Sequence, residues 1–171
     1  LISAARDPAA NIFDWASQDV SISYTCSDSL SGVRSCPAVM LFNSEGLNIS
    51  TTATVYDYAG STNQVTVNGI SIDKTKPVTA ASLSGILISG WYNTAVAITL
   101  GSIDSLSGVD RTNYRLERGG VMISSGIYTA SVSASADGQY TVYYYSADRA
   151  GNVEAEKSIA FKIDRTLPQV S

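Results

Sequence analysis

The chain of 171 residues has no histidine, only two cysteines, and nothing approaching the 18 consecutive apolar residues of a membrane-spanning helix. Each scarcity closes a class of function. Without histidine, a serine or cysteine nucleophile lacks its usual general base, and a zinc site lacks its commonest nitrogen ligand. Cys26 and Cys36 are ten residues apart, so a CxxC redox pair is absent as well. Charged residues are 15% of the chain, the net charge is −4, and the Lys and Arg residues do not cluster. That leaves no electrostatic footprint for nucleic acid or an anionic membrane. No glycine-rich phosphate loop leads into a helix. The composition argues against an enzyme.

What the chain does have is a duplication. The hexapeptide DSLSGV occurs at Asp28 to Val33 and again at Asp104 to Val109, a shift of 104 − 28 = 76 that also superposes Trp15 on Trp91 and Val20 on Val96. Downstream, Asp57-Tyr58-Ala59-Gly60 matches Asp148-Arg149-Ala150-Gly151, and IDKTKP ending at Pro77 matches IDRTLP ending at Pro168, both at a shift of 91. The second copy therefore carries 91 − 76 = 15 extra residues, placed around 121–135. A period of this size means an array of small domains, here residues 1–77 and 78–171. Pro77 fixes the boundary by restricting itself and biasing Lys76 to an extended conformation.

The local texture is β throughout. Alternating or β-branched runs at 20–26, 52–56, 64–72, 96–100, 140–145 and 158–163 are separated by Ser, Gly, Asn and Asp clusters, and no segment sustains a 3.6-residue period. The expected fold is all-β, two immunoglobulin-like β-sandwich domains in series. In the first unit the expected strands lie near Leu1 and at 20–26, 36–42, 50–57 and 64–73. The extra 15 residues, with turns at Gly119-Gly120 and Ser125-Gly126, suit one hairpin of two strands. Two added strands preserve up-down parity and keep the DxAG loop at the same end of both copies.

In the first unit Trp15, TCSDSLSGVRSCP, Glu45-Gly46, YDYAG and NGISIDKTKP together resemble a bacterial Ig-like repeat found in tandem in large secreted and cell-surface proteins. The second unit, with GWYNTAVAITL, DSLSGV, YTVYYYSADRAGNVEAEKSIAFKID and TLP, resembles a neighbouring family of the same kind. The resemblance implies a non-catalytic extracellular spacer, stalk or adhesion module, with neighbouring repeats of the same chain as its first partners. The alternative is a module that binds surface glycan or protein. The abrupt start at Leu1 and the stop just past a linker motif read as a piece of a longer protein. Ser61 stands where the second copy has Asn152, so any role of that loop's asparagine is expected in the second unit alone.

Four further expectations concern particular residues. Cys26 and Cys36, on either side of the DSLSG turn, suit a disulfide, with buried free thiols as the alternative. Glu154 and Glu156, two apart beside a turn, read as a solvated face. Trp15 and Trp91, at equivalent positions, read as rings covering the end of each sandwich rather than as sugar-stacking platforms. Finally, parity places Asp104, Asp148 and Asn152 at the N-terminal end of the second unit, facing the linker that carries Asp73. That hard-oxygen set suits Ca²⁺. Lys74, Lys76 and Arg149 count against an ion, and the competing reading is that each Asp folds its own turn through Asx-type hydrogen bonds.

Overall fold

The computed structural model describes residues 1–169. No helix forms among them, so none is long and apolar enough to cross a membrane. The chain divides into two compact units, Leu1–Thr75 with Arg149–Asn152, and Lys76–Asp148 with the chain from Val153 onward.

The first unit holds β1 (Ile2–Asp7), β2 (Val20–Cys26), β3 (Val33–Ser35), β4 (Met40–Phe42), β5 (Gly46–Asp57) and β6 (Thr62–Ile72). They form two antiparallel sheets, ordered β1-β2-β4 and β3-β5-β6. Alternation along β2 turns Val20 and Ile22 inward against Ile70 and Ile72 of β6, with Ala16 closing the cluster. Each buried aliphatic side chain of this kind stabilises by about 1.5–3 kcal/mol. Of the strand expected over 36–42 only Met40–Phe42 forms, and an unexpected short strand, β3, precedes it in the other sheet. β3 pairs with β5 and β4 pairs with β2. Pro37 lies between them, and its missing N–H prevents the ladder from continuing, so the chain leaves one sheet there and joins the other. Cys36 therefore follows a strand instead of opening one. It is bonded to Cys26 with Cα atoms 5.9 Å apart, tying the end of β2 to the end of β3 across the two sheets. Closing a loop of this length stabilises by about 2–3 kcal/mol on the chain-entropy estimate.

The second unit holds β7 (Val78–Ser84), β8 (Leu87–Ile88), β9 (Trp91–Tyr92), β10 (Val96–Ile103), β11 (Val109–Arg118), β12 (Val121–Ile127), β13 (Val132–Ala134), β14 (Gly138–Asp148) and β15 (Lys157–Ile163). Their sheets run β13-β10-β7 and β12-β11-β14-β15-β9-β8. The core joins Val96, Ile98 and Leu100 of β10 to Leu116, Tyr140, Val142, Tyr144, Phe161 and Ile163 of the larger sheet. Tyr140 stacks on Phe161 with ring centroids 5.0 Å apart, and Tyr92 meets the same ring edge-on at 6.2 Å.

The two units repeat one plan. β1-β2-β4 corresponds to β7-β10-β13, and β3-β5-β6 corresponds to β11-β14-β15. The 15 extra residues do not make a hairpin of their own. β12 pairs with β11 through the two-residue Gly119-Gly120 turn, whose φ values of 58° and 79° suit only glycine-like positions of a type I′ hairpin, while β13 pairs with β10. In effect the sheet switch that the first unit makes at Pro37 becomes an excursion through one added strand, and the direction of the chain is restored before β14.

Candidate functional site

The DSLSG segments fold the same way in both copies. Asp28 Oδ2 accepts hydrogen bonds from Leu30 N at 3.2 Å, Ser31 Oγ at 3.2 Å and Gly32 N at 2.6 Å. Asp104 Oδ1 accepts from Leu106 N at 3.3 Å, Ser107 Oγ at 3.4 Å and Gly108 N at 2.7 Å. Gly32 and Gly108 carry φ of 81° and 79°, the left-handed conformation that lets the amide turn back onto the carboxylate. The Gly32 amide is the main reason that the Asp28 carboxyl sits below its ordinary pKa. Each aspartate thus folds its own turn, as does Asp57, whose Oδ1 accepts from Ser61 N at 2.7 Å.

In the second unit the ends of β10 and β14 meet. Carboxylate oxygens of Asp104 and Asp148 lie within 4.8 Å of one another, with Asp148 buried and Asp104 half-buried. The other two expected ligands, Asp73 and Asn152, group with the first unit. There Asn152 Nδ2 donates to the Asp73 carbonyl at 2.8 Å and to the Thr75 carbonyl at 3.2 Å, and Asp73 Oδ1 accepts from Thr75 N at 3.0 Å. The amide of Asn152 thus works on the backbone of the linker motif.

That motif is held by a device that sequence reasoning missed. In the first unit Glu45 Oε1, in the loop between β4 and β5, accepts from Lys74 N at 2.7 Å and Thr75 Oγ1 at 2.9 Å. Lys74 Nζ in turn donates to the Asn43 carbonyl at 2.7 Å and pairs with Asp19. In the second unit Asp137, in the corresponding loop between β13 and β14, accepts from Arg165 N at 2.8 Å through Oδ1 and from Thr166 Oγ1 at 2.6 Å through Oδ2. Arg165 Nη1 donates to the Ser135 carbonyl at 2.8 Å, and Thr166 N to Asp164 Oδ1 at 3.0 Å. The bond from Thr166 and then that from Arg165 hold the Asp137 carboxyl below its ordinary pKa. A signal existed in the sequence. The carboxylate precedes the basic residue by 29 positions in one copy and 28 in the other, a near-constant spacing across the duplication.

Glu154 overturns its expected solvated role. It is 8% exposed, and its carboxylate accepts from Thr79 N at 3.2 Å, Thr79 Oγ1, Ser146 N at 2.9 Å and Lys157 Nζ at 2.6 Å. A chain of hydroxyls runs on from there. Thr79 Oγ1 meets Ser146 Oγ at 2.6 Å, Ser146 meets Thr112 at 2.8 Å, and Thr112 meets Ser102 at 2.8 Å. The chain stitches β7 and β10 of one sheet to β11 and β14 of the other. Burial pulls the Glu154 pKa up, and the bonds from Lys157, Thr79 and Ser146 outweigh it, leaving the carboxyl below its ordinary value. Glu156 is the exposed member of the pair.

The tryptophans part company. Trp15 is 8% exposed, its backbone N bonded to Asn11 Oδ1 at 3.0 Å, whereas Trp91 in β9 is 39% exposed with the Lys162 ammonium 4.5 Å above its ring. Equivalent sequence positions have different surroundings because β8 and β9 exist only in the second unit.

Strand order and core define each unit as an immunoglobulin-like β-sandwich. No family model and no curated protein matches the chain. Among solved structures it is similar to the fibronectin(III)-like modules of CbhA from Clostridium thermocellum, at 15% identity and a TM-score of 0.43, over 100% of this chain and 99% of that one. It is also similar to a structure bearing on host cell surface retention of a 1.5-MDa bacterial ice-binding adhesin, at 14% identity and a TM-score of 0.48, over 96% of this chain and 65% of that one. At these scores the likenesses carry no argument about function. The fold assignment rests on the strand order itself.

Proposed function

We propose that the chain is a non-catalytic structural spacer of a larger secreted or cell-surface protein, built of two Ig-like domains, residues 1–77 and 78–171, from related repeat families. The observation that carries this reading is the duplicated linker clamp. An I-D-[KR]-T-x-P motif leaves the last strand of each unit, and in each unit a carboxylate from the same loop of the fold grips its basic residue's amide and its threonine hydroxyl. A flexible tether has no use for such a grip. A spacer needs the chain to leave each domain in a fixed direction. The Cys26–Cys36 bond supports an oxidising, extracellular setting. Ca²⁺ stays part of this reading, and at the Asp104 and Asp148 pair of the second unit a divalent cation would offset two close carboxylates.

The test is amide dynamics of the linkers. In wild type, ¹⁵N order parameters at Lys74, Thr75, Arg165 and Thr166 are expected near the rigid-backbone value of about 0.85, and Glu45→Ala or Asp137→Ala is expected to drop its own pair below about 0.6. Wild-type linkers already below about 0.6 would make the domains beads on a loose string and end the spacer reading.

A further inference from the structure

Unlike the second unit, the first leaves part of a sheet edge open. β3 reaches only Tyr56 and Asp57 of β5, and at Pro37 the chain has left for the other sheet. In the second unit β11 runs on, and its Asn113, Tyr114, Arg115 and Leu116 pair with Tyr145, Tyr144, Tyr143 and Val142 of β14. At the shift of 91 those β14 positions are Thr54, Ala53, Thr52 and Thr51 of β5. Among the described residues no strand pairs with them on that side. The backbone there is aimed outward. Asp57 N donates to the Ser61 carbonyl across the β5–β6 turn, while Tyr58 N donates to the Gly32 carbonyl on the β3 side. Alternation from Asp57 gives Val55, Ala53 and Thr51 to the β6 ladder and turns the N–H and C=O of Thr54 and Thr52 to the open edge. Register shifts blunt β5 before Thr51, but from Thr51 to Tyr56 the pairing is regular, and no charge stands between Gly46 and Tyr56. Edge strands are ordinarily guarded by charge, proline or a bulge.

Beside this edge lies a cleft of about 570 Å³, lined by Tyr24 and Met40 of one sheet, Ala53 of the other and the chain between, with no charged residue among them. Val39, Met40 and Leu41 on its rim are exposed. The second unit shows what fills the equivalent space. There Leu116 of β11 is buried in the core and Tyr114 packs against it. We propose that the β5 edge of the first unit receives an extended strand of a partner polypeptide, antiparallel to β5, that inserts an aromatic or aliphatic side chain into this cleft. Main-chain bonds to Thr52 and Thr54 supply the ladder, and side chains at alternate positions fill the cleft as Tyr114 and Leu116 fill theirs. A charged side chain in the cleft finds no partner to offset its loss of water. Pairing with β5 of a second copy fits worse, because Ala53 would then face Ala53 and leave the cleft empty.

The probe is a synthetic peptide with the sequence of residues 112–118, the part of β11 that covers this edge in the second unit, added to the full chain while amide exchange is followed by NMR. Without peptide, the amides of Thr52 and Thr54 are expected to exchange at least about tenfold faster than those of Ala53 and Val55. Peptide at about 1 mM is expected to slow Thr52 and Thr54 by at least about tenfold and to leave Ala53 and Val55 unchanged. The carbonyl of Thr112 accepts from Tyr128 N on the β12 side, so alternation turns the N–H of Asn113 and Arg115 to β14. Methylating those two nitrogens in the peptide is expected to abolish the protection, and so is the peptide carrying Tyr114→Ser and Leu116→Ser. Both changes lie in the ligand, so misfolding of the protein cannot imitate them. No slowing at that concentration overturns the proposal, as does slowing confined to other strands or equal slowing by the methylated peptide. Slow Thr52 and Thr54 amides without peptide overturn it too, at every protein concentration because the chain itself covers the edge, or only in concentrated protein because a second copy does. The spacer reading, which depends on the linker amides, is untouched by any of these results.

Discussion

At Glu154 one carboxylate serves as acceptor for groups on β7 and β14 and as ion-pair partner for Lys157. Its removal strands buried donors on two strands, so Glu154→Ala is expected to lower the stability of the second unit by about 2–3 kcal/mol in urea unfolding. The pH dependence follows from its depressed pKa. A carboxyl whose folded pKa lies below its unfolded value of 4.5 contributes its full share above that value and loses it as pH falls through the folded pKa. Unfolding free energies measured from about pH 6 down to about pH 3 should therefore fall more steeply for wild type than for Glu154→Gln. Parallel slopes would show that the carboxylate contributes no proton linkage. None of this could be read from the sequence. Residues 154 and 156 look alike beside a turn, and what separates them is Thr79, 75 positions away in the chain.

For the elements, the chain's punctuation was legible and its pairing was not. Strong alternation made β2, β5, β6, β10, β14 and β15 readable, and the repeated DSLSG made two turns readable down to the aspartate that closes each. β8 and β9 were missed because two residues offer no period to detect. The separation of β3 at Val33–Ser35 from β4 at Met40–Phe42, one in each sheet, was missed because switching sheets preserves strand direction, and parity reasoning sees only direction. The loops that follow β10 and β14 bear on the cation. If Ca²⁺ sits between Asp104 and Asp148, chelator is expected to lower the melting temperature of wild type and leave Asp104→Ala unmoved. Equal melts with and without chelator, and no calcium heat by calorimetry, would reduce Asp104 to its turn-closing role.

On the scale of the whole molecule, sheet order, turn and linker clamp recur while the crosslink does not, since the second copy has no cysteine and spends extra residues on β12 instead. The duplicated motifs are the ground for expecting two domains, because a shift that holds for a turn, an Asp loop and a linker at once is difficult to produce by any other arrangement. The difference between the copies has a mechanical consequence. Stretched from its ends, the first unit transmits load through the sulfur atoms of Cys26 and Cys36, whose sequence separation is 10, and not through residues 27–35 between them, which contain all of β3. Single-molecule pulling should give the oxidised unit a contour-length increment about 27–30 Å shorter than the reduced one, at an extension of about 3.3–3.6 Å per residue less the 5.9 Å that the bond itself spans. Equal increments would mean that the bond is not present in the pulled molecule. With it in place, the segment carrying the first DSLSG turn keeps its length after the sheets on either side have been torn open.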